Sequence, residues 1–424
     1  MKKMKDSGVA WIGEIPSNWA LVRVKNQYSS HKTIAGSDSE KYERLALTLN
    51  GVIKRSKEDS NGLQPEAFDG YQVLNTGELV FKLIDLANVA TSRVGYSPYT
   101  GIVSPAYIIL SPNKDAVAKF GEKFFLSMWQ REVFNHMGDD GVRSSLNVSD
   151  LLNIPYPHPP LPEQQRIADF LDRKCADIDN VLQKTKASIE EYKKLKQAVI
   201  TEAVTKGIRG ERPMKDSGST WFGRIPASWD ANKLKYTFTI RKRIVGEDGH
   251  TVLAITQKGV KPKDMSNGNG QFAESYANYQ IVNPGDFAMN HMDLLTGWVD
   301  ISKYEGVTSP DYRVFTLDDT TRNCPGYYLY MMQMCYSNRI FYSMGQGVSG
   351  MGRWRLPADM FNNFIIACPP FEEQQEIAEY LDNKCSEIDS LIASKEKFII
   401  ELESYKKSLI YEYVTGKKEV PSNA

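Results

Sequence analysis

Two sequence blocks each occur twice in this chain, and this repeat limits its fold more than any other feature. Residues 4–19 return as residues 214–229, with ten of sixteen positions identical. Residues 160–179 return as residues 370–389, with twelve of twenty positions identical. Both matches have the same offset of 210 positions. The 424 residues are therefore a tandem duplication of a unit of about 210 residues.

The segments between the repeated blocks have diverged much further. Three short stretches still match at offsets near 208: 45–55 with 253–263, 71–78 with 279–286, and an S-P-x-Y sequence at 104–107 with 309–312. Because the repeated blocks are similar while the segments between them differ, the pattern favours recognition of two different targets over one catalytic activity shared by both copies. The sequence predicts five segments: domains at 1–159 and 211–369, long helices within 160–210 and 370–416, and a tail at 417–424.

The two helical segments show apolar residues at alternating spacings of four and three. This is the a/d pattern of a coiled coil, sustained over more than four heptads. The stripes are Leu171, Cys175, Ile178, Leu182, Thr185, Ile189, Tyr192, Lys196, Val199 and Ala203, and then Leu381, Cys385, Ile388, Ile392, Lys395, Ile399, Leu402, Lys406, Leu409 and Tyr413. We predict two helices of about 45 residues that pack on each other and end at Gly207 and Gly416. The equivalent Cys175 and Cys385 are interpreted as small buried thiols, with a regulatory disulfide as the alternative.

The variable segments contain short β-rich runs that are broken by glycine, asparagine, aspartate and proline. These runs lie at 45–49, 79–83, 107–110, 252–256 and 313–317. Each segment also holds one apolar helical stretch, around 115–137 and 326–344. The predicted fold class is therefore α+β, with two α+β domains separated by two long helices.

Composition and motifs argue against several classes of protein. No apolar run reaches the roughly 18–20 residues of a membrane span, and no apolar segment follows the N-terminal lysines as in a signal peptide. Five cysteines, never spaced C-x-x-C, are typical of reduced thiols in a cytoplasmic protein. No metal-ligand or phosphate-loop motif occurs. Gly345, Gly347 and Gly350 spell G-x-G-x-x-G, but a helix-like stretch precedes them, which favours a flexible loop over a nucleotide site.

Two different domains on a helical spacer suit a ligand with two separated half-sites, such as duplex DNA. The candidate contact residues are polar, basic or aromatic residues near predicted loops: Asn50, Lys54, Arg55, Lys57, Arg93, Tyr96, Arg143, Ser144, Arg241, Arg243, Lys258, Lys261, Lys263, Arg353, Trp354 and Arg355. Solvated surface charge is the competing interpretation for each. Residues 20–159 contain 15 basic and 15 acidic residues, and residues 230–369 contain 14 and 13. Because neither domain is basic overall, tight DNA binding without partner subunits is not expected.

The chain also carries two motifs in a characteristic order. W-x-G-x-I-P-x-x-W occurs at 11–19 and 221–229, and P-P-x-x-E-Q-Q occurs at 159–165 and 369–375. With the long helices, these motifs resemble the specificity subunit of type I restriction–modification enzymes, and the resemblance extends to about residue 416. It implies two target recognition domains that read a split, asymmetric DNA site, and an antiparallel coiled coil that fixes the spacer between its parts.

The resemblance further implies that the chain is not itself catalytic. It would assemble with two modification subunits, which methylate adenine with S-adenosylmethionine, and with two ATP-dependent restriction subunits. S-adenosylmethionine, ATP and Mg²⁺ are expected in those partners and no cofactor is expected in this chain. DNA contacts are expected in 50–55, in 258–263 and around Arg143 and Arg353.

The E-Q-Q blocks and the long helices would bind the modification subunits. For Glu163, Gln164, Gln165, Glu373, Gln374 and Gln375, a role at the start of the helix competes equally with docking. For the tryptophan motifs, packing between domain and helix competes with partner contact. The second block has Phe371 and Glu372 where the first has Leu161 and Pro162, which leaves the start of the second helix less sharply fixed. There are two alternative functions. The chain could be an interaction protein that binds other proteins, or an enzyme whose catalytic residues are dispersed along the sequence.

Overall fold

The computed structural model describes residues 3–59, 65–84, 86, 93–137, 145–263, 274–348 and 353–421. The chain divides into two compact units. Unit 1 comprises Met1–Thr185 and Glu396–Ala424, and unit 2 comprises Lys186–Lys395. Each unit therefore holds one α+β domain together with one segment of each long helix.

The α+β domain of unit 1 is built from short strands and two short α-helices. In chain order these are β1 (Met4–Asp6), β2 (Glu14–Pro16), β3 (Ala20–Arg23), β4 (Tyr28–His31), β5 (Arg44–Thr48), β6 (Gly51–Arg55), β7 (Gln72–Leu74), β8 (Leu79–Lys82), β9 (Arg93–Tyr96), β10 (Gly101–Val103), β11 (Ile108–Pro112), α1 (Ala118–Gln130), α2 (Val148–Leu152) and β12 (Pro155–His158). Two four-stranded sheets have the orders β6-β5-β10-β7 and β4-β11-β8-β9. Strand β12 pairs with β3 and leads directly into the long helix α3 (Leu161–Lys206).

The domain of unit 2 follows the same plan. Its elements are β13 (Met214–Asp216), β14 (Arg224–Pro226), β15 (Asp230–Lys233), β16 (Phe238–Arg241), β17 (Leu253–Thr256), β18 (Gly259–Pro262), β19 (Gln280–Val282), β20 (Phe287–Met289), β21 (Val299–Ile301), β22 (Gly306–Thr308), β23 (Arg313–Leu317), α4 (Pro325–Ser337), α5 (Ile340–Ser343), β24 (Gln346–Val348), β25 (Arg353–Arg355), α6 (Ala358–Asn363) and β26 (Ile365–Cys368). The sheet β16-β23-β20-β21 corresponds to β4-β11-β8-β9. Strand β26 pairs with β15 and leads into the long helix α7 (Phe371–Val414). The α+β fold predicted for each domain is confirmed.

Each domain packs one helix against its sheet through large side chains. In α1, Phe120, Phe124 and Met128 are spaced four residues apart, so they lie on one helix face, and each is at most 1% exposed. In α4, Tyr327, Met331 and Cys335 occupy the corresponding positions, and each is 0% exposed. Full burial of such a side chain contributes roughly 1.5–3 kcal/mol relative to exposure. These helices therefore fix the position of the sheets relative to the rest of each domain.

In each unit, the two long-helix segments run antiparallel along the predicted stripes, and every stripe residue is buried or half-buried. In unit 1, the ring centroids of Phe170 and Tyr413 lie 4.7 Å apart, and Lys406 Nζ lies 2.6 Å from Asp179 Oδ1. In unit 2, the equivalent pair of Lys196 and Asp389 is separated by 2.7 Å between Nζ and Oδ2. The duplicated sequence thus produces the same antiparallel pairing twice, which confirms the predicted coiled coil.

The ends of the long helices also agree with the sequence. Helix α3 begins at Leu161 and α7 begins at Phe371, which are equivalent positions in the repeat, so the missing proline does not move the start. Gly207 and Gly416 follow the helices with φ of 78° and 72°. Glycine adopts this left-handed conformation without the steric cost that a Cβ atom imposes, so both residues end their helices as predicted.

Several predicted loops are strands instead. Residues 50–55 and 258–263 form the turn and second strand of the hairpins β5–β6 and β17–β18. Their glycines, Gly51 and Gly259, have φ of 92° and 94°, which reverses the chain so tightly that pairing begins at once. Arg93 and Tyr96 lie in β9, and Arg353 lies in β25. Glycine in these segments therefore marks tight turns and strand positions, and not extended loops.

The glycine-rich segment at 345–350 does not form a nucleotide site. Gly347 lies in β24, which pairs with β25, and the short helix α5 precedes it where a dinucleotide fold needs a strand. Gly350 lies outside the described residues. Gly347 therefore lies in a paired strand, and not in the flexible loop that the sequence predicted.

All five cysteines are free thiols, and Cys175 and Cys385 are 7% and 5% exposed. Burial raises the pKa of both thiols, which keeps them protonated and unreactive. Over the described residues, no cluster of potential metal ligands occurs, and no helix is long and apolar enough to cross a membrane.

Candidate nucleic-acid interface

The first domain presents two candidate residues on the outer strand of the β5–β6 hairpin. Lys54 is exposed, and its Nζ lies 2.6 Å from Glu43 Oε2. Arg55 is half-buried, and its Nε lies 2.8 Å from Asp59 Oδ2. Both cations already have a carboxylate partner, so a DNA phosphate would have to compete with that partner.

The other described candidates of the first domain are held in different ways. Lys57 Nζ donates to the carbonyl oxygen of Ser39 at 2.9 Å. Tyr96 is half-buried, and its ring centroid lies 5.8 Å from Lys119 Nζ. Asn50 is exposed at the tip of the β5–β6 hairpin. Of these three, Asn50 has the side chain most available to a ligand.

Arg93, Arg143 and Ser144 cannot be placed in the same detail. The backbone of Arg93 pairs with Lys82 in the β8–β9 ladder, and its side chain lies outside the described structure. Arg143 and Ser144 lie wholly outside the described residues.

In the second domain, the β17–β18 hairpin presents lysines without acidic partners. Lys258 lies in the turn and Lys261 lies on β18, and both are exposed. Within the described residues, no carboxylate forms an ion pair with either of them. Lys263 follows β18 and is half-buried, with its backbone N–H bonded to the carbonyl of Val252 at 2.8 Å. The hairpin of the second domain is thus more available to an anionic ligand than its counterpart.

The basic run of Arg241, Lys242 and Arg243 is divided between the protein surface and an internal ion pair. Arg241 is exposed, and its Nε donates to Thr316 Oγ1 at 3.0 Å. Arg243 forms an ion pair with Asp286, which is only 4% exposed. Arg243 therefore neutralises a buried carboxylate, whereas Arg241 and Lys242 are exposed.

The first domain holds its equivalent carboxylate with a histidine instead of an arginine. Its equivalent carboxylate, Glu78, lies 2.7 Å from His31 Nε2 and accepts from Ser111 Oγ at 2.6 Å and from the Asn75 N–H at 2.7 Å. Burial by itself would raise the pKa of Glu78, but hydrogen bonds from Ser111, Asn75 and His31 outweigh it and lower that pKa. A buried acidic anchor is therefore common to both domains.

The β24–β25 hairpin carries the last three candidates. Trp354 Nε1 donates to the carbonyl of Tyr342 at 2.7 Å, and the two rings lie 5.8 Å apart, so Trp354 packs into the domain. Arg355 is exposed. The side chain of Arg353, next to these two, lies outside the described structure.

The middle glutamine of each E-Q-Q block is buried within its own unit. Gln164 Oε1 accepts from the N–H of Val117, the residue before α1, at 3.0 Å. Its Nε2 donates to the carbonyls of Pro159 at 2.9 Å and Asp115 at 3.1 Å. With 0% exposure, this side chain joins the domain helix, the end of β12 and the start of α3.

Gln374 makes the same connections in unit 2. Its Oε1 accepts from the N–H of Cys324, the residue before α4, at 2.7 Å. Its Nε2 donates to the carbonyls of Pro369 at 2.9 Å and Arg322 at 3.3 Å. These contacts favour the structural alternative for both middle glutamines, whereas Gln165 and Gln375 are exposed.

The glutamates of the E-Q-Q blocks hold the last tryptophan of each tryptophan motif. Trp19 Nε1 lies 3.1 Å from Glu163 Oε2, and Trp229 Nε1 lies 2.9 Å from Glu373 Oε2. Trp19 and Trp229 are 1% and 0% exposed. Packing between domain and helix therefore accounts for these two tryptophans, while Trp221 is 44% exposed.

Two cations near these tryptophans were missed in the sequence. Arg212 Nη2 lies 2.6 Å from Glu373 Oε1 and also donates to the carbonyl of Lys206, at the end of α3, at 2.8 Å. In unit 1, Lys417 Nζ donates to the carbonyl of Ile12 at 2.7 Å. Arg212 is five residues after Gly207 and Lys417 directly follows Gly416, so a basic residue soon after a helix-ending glycine is the only sequence signal that they share.

The long helices expose apolar side chains that the coil does not cover. In unit 1 these are Leu161, Val181, Phe398, Ile400 and Tyr405, and in unit 2 they are Leu195 and Leu391. The predicted coil residues lie on the opposite, buried stripe: Leu171, Ile178, Leu182, Ile189, Leu381, Ile388, Ile392 and Ile399. The helices therefore combine an internal packing face with exposed apolar positions.

Two α+β domains of one plan, with different exposed side chains and with each domain bound to a coil segment, define a tandem recognition scaffold. The family model for the type I restriction modification DNA specificity domain matches residues 54–191 and 255–404, which is more than half of the chain. The chain therefore belongs to the type I restriction–modification DNA specificity family.

Individual relatives agree with this assignment. The chain is 23% identical over 432 residues to the protein named as the MjaX type I restriction enzyme specificity subunit of Methanocaldococcus jannaschii, with 96% of each covered. It is 26% identical over 284 residues to the MjaVIII specificity subunit of the same organism, with 63% of each covered.

Solved structures show the same fold. One chain, from a study of complex assembly and conformational transition of the type I R-M system, matches with a TM-score of 0.69 at 14% identity, covering 95% of this chain and 99% of that one. The HsdS subunit of Thermoanaerobacter tengcongensis matches with a TM-score of 0.52 at 14% identity, covering 95% and 98%.

Proposed function

We propose that this chain selects the DNA sequence on which a type I restriction–modification complex acts. Each α+β domain would read one part of a bipartite, asymmetric site, and the coiled coil would set the spacer between the parts. The observation that carries the proposal is one frame repeated with different side chains on matching hairpins. Lys258 and Lys261 are exposed and form no ion pair with a carboxylate of the described residues, whereas Lys54 and Arg55 are paired with carboxylates.

The chemistry would belong to partner subunits. Two modification subunits would methylate adenine with S-adenosylmethionine, and two restriction subunits would add ATP- and Mg²⁺-dependent translocation and cleavage, all in the cytoplasm. The exposed apolar residues of the long helices, with Gln165 and Gln375, support docking of the modification subunits there. Partner subunits would also supply much of the grip on the DNA backbone, because neither domain is basic overall.

Selection from randomised duplex DNA tests the proposal. The full chain, alone and assembled with its modification subunits, is mixed with the DNA pool, and bound sequences are recovered. We expect enrichment of two short half-sites separated by a gap of fixed length. If the assembled complex enriches no gapped motif, the chain does not select DNA in this way, and an adaptor that binds other proteins becomes the better interpretation.

The spacer role has its own test. One heptad is inserted after Thr185 and another after Lys395, so that both antiparallel helices lengthen together and the pairing within each unit is kept. Seven helical residues add about 10 Å, which equals at most about three base pairs. We expect a longer gap with unchanged half-sites, and insertion into one helix alone is the control that disrupts pairing. Altered half-sites would contradict the assignment of spacer and reading domains.

A further inference from the structure

The sheets β4-β11-β8-β9 and β16-β23-β20-β21 correspond between the two domains, but two equivalent positions near their ends are apolar in the first domain and polar in the second. Strand β23 begins with Arg313, which pairs with Met289 of β20. Strand β11 begins with Ile108, which pairs with Phe81 of β8, so Arg313 and Ile108 are equivalent positions. His291 and Leu83 are also equivalent positions, because each accepts the same backbone hydrogen bond. In the second domain, the Leu356 N–H donates to the His291 carbonyl at 2.9 Å. In the first domain, the Leu146 N–H bonds to the Leu83 carbonyl at 3.0 Å.

The frame is therefore the same, but the side chains are not. Where the second domain has Arg313 and His291, the first domain has Ile108 and Leu83. In the first domain these two apolar residues help line a cavity of about 280 Å³. The second domain therefore has an arginine and a histidine at the positions where the first domain has two aliphatic side chains.

Arg313 is buried without a compensating anion. Its side chain is held over the ring of Phe361 at 4.7 Å, and its Nη2 donates to the carbonyl of Leu356 at 2.8 Å. The residue is 5% exposed, and Nη1 has no hydrogen-bond partner among the described residues. No carboxylate in that part of the chain pairs with it. Burial lowers the pKa of Arg313 to about 10, as expected for a cation withdrawn from water without a counter-charge.

His291 adds a second unsatisfied group beside it. Burial, and then the charges of Arg313 and Arg355, lower the pKa of His291 to about 3, so the imidazole is neutral. Its Nδ1 is buried without a partner among the described residues. The acidic side chain nearby, Asp293, is already bound to the N–H groups of Leu295 and Thr296, each at 3.0 Å.

Such an arrangement is costly for the free protein. A buried cation that lacks an anion destabilises the fold, and a hydrocarbon side chain at the same place, as in the first domain, avoids that cost. Arg355, which is exposed, lies close enough to help lower the pKa of His291. The missing counter-charge is available from a DNA ligand.

We propose that Arg313, with His291 beside it, is a specificity-determining site of the second domain that binds hydrogen-bond acceptors of DNA. The acceptors would be O6 and N7 of a guanine or the oxygens of a phosphate, both of which match the planar fork of arginine. This proposal rests on the proposed DNA-selecting function. It also predicts that the first domain reads its half-site by a different chemistry at the same position.

The test compares variants of Arg313 in the full chain assembled with its modification subunits. Arg313→Gln keeps a donor for the Leu356 carbonyl and removes the charge and the fork, and Arg313→Ile installs the residue of the first domain. We expect the thermal unfolding midpoint to be kept or raised, while affinity for the selected duplex falls about tenfold or more. The matched control is Lys303→Gln, which removes one positive charge from an exposed position of the same domain.

Single-base substitutions in the selected duplex identify the acceptor. If Arg313 reads guanine, Arg313→Gln loses preference at one base pair of one half-site. If it binds phosphate, affinity falls evenly across sequences and depends less on salt, and Arg313→Lys restores most of it. Both results support the site, and they distinguish a guanine acceptor from a phosphate acceptor.

Unchanged affinity and unchanged base preference in a folded Arg313→Gln variant would overturn the proposal. If the variant does not fold, hydrogen exchange of the wild-type complex decides instead, because DNA binding should protect the amides of residues 287–292 and 311–317. No added protection there also overturns it. A wild-type complex that selects no gapped motif would instead contradict the DNA-selecting function itself.

Discussion

The middle glutamine of each E-Q-Q block offers the sharpest test of how the domains are joined to the coil. Replacing Gln164 by leucine keeps the approximate volume but removes three hydrogen bonds, at 2.9, 3.0 and 3.1 Å. A buried hydrogen bond contributes about 1 kcal/mol net, and backbone groups left without partners add to the loss. We therefore expect Gln164→Leu to destabilise unit 1 by about 3–4 kcal/mol. Gln374→Leu should destabilise unit 2 by a similar amount.

Hydrogen exchange with peptide resolution can assign each loss to its unit. Lowering the free energy of opening by about 3 kcal/mol raises the rate of amide hydrogen exchange roughly a hundredfold, since 1.4 kcal/mol corresponds to a factor of ten. We expect Gln164→Leu to act on the amides of α1 and to leave α4 unchanged, and Gln374→Leu to do the reverse. Gln165→Leu is the matched control, because Gln165 is exposed and bonds only to Asp169 on the same helix at 2.9 Å.

The result that would refute the reasoning is equal stability of the Gln164→Leu and Gln165→Leu chains. In that case the internal hydrogen bonds would contribute little. The block would then matter for partner docking, and its loss would be visible only when the modification subunits are titrated onto the chain.

Two further predictions concern a helix end and a buried carboxylate. Gly207→Ala should lower the free energy of unfolding by at least about 1 kcal/mol, because φ is 78° and a Cβ atom would overlap the guanidinium of Arg212; Gly210→Ala, where a Cβ meets nothing within 4 Å, should have a much smaller effect in the same denaturant titration. The folded pKa of Glu78 is lowered, so its stabilising contribution is present above the unfolded value near 4.5 and is lost as pH falls through the folded pKa. Wild type should therefore be more stable than Glu78→Gln at pH 7, and the difference should shrink below about pH 4.5; a constant difference from pH 7 to pH 3 would contradict this account.

The long helices were predictable because their signal is local and repeated. Positions such as Leu171 and Leu381 recur at heptad spacing, and Gly207 and Gly416 mark the ends, so both the existence and the limits of the helices followed from the sequence. The strands at 79–82 and 313–317 were predictable for the same reason, since β-rich residues adjoin turn formers there.

The hairpins and the candidate site were harder to predict, because their geometry depends on distant partners. Asn50 and Gly51 indicate a turn, but whether a strand follows depends on its pairing with β5. Gln164 contacts a residue 47 positions away in the chain, and no local pattern reveals such a bond. Arg313 differs, since aligning the two copies places it against Ile108, and that contrast was available from the sequence alone.

Frame and recognition are physically separable in each domain. The backbone bond from Leu356 to His291 has the same geometry as the bond from Leu146 to Leu83, although one domain carries an imidazole where the other carries an isobutyl group. Backbone hydrogen bonds do not depend on side-chain identity, so these positions can change chemistry while the ladder stays intact. The buried glutamine that joins each domain to its coil segment is likewise independent of them. Duplication of such a frame allows the two copies to diverge in what they bind while each remains anchored in the same way.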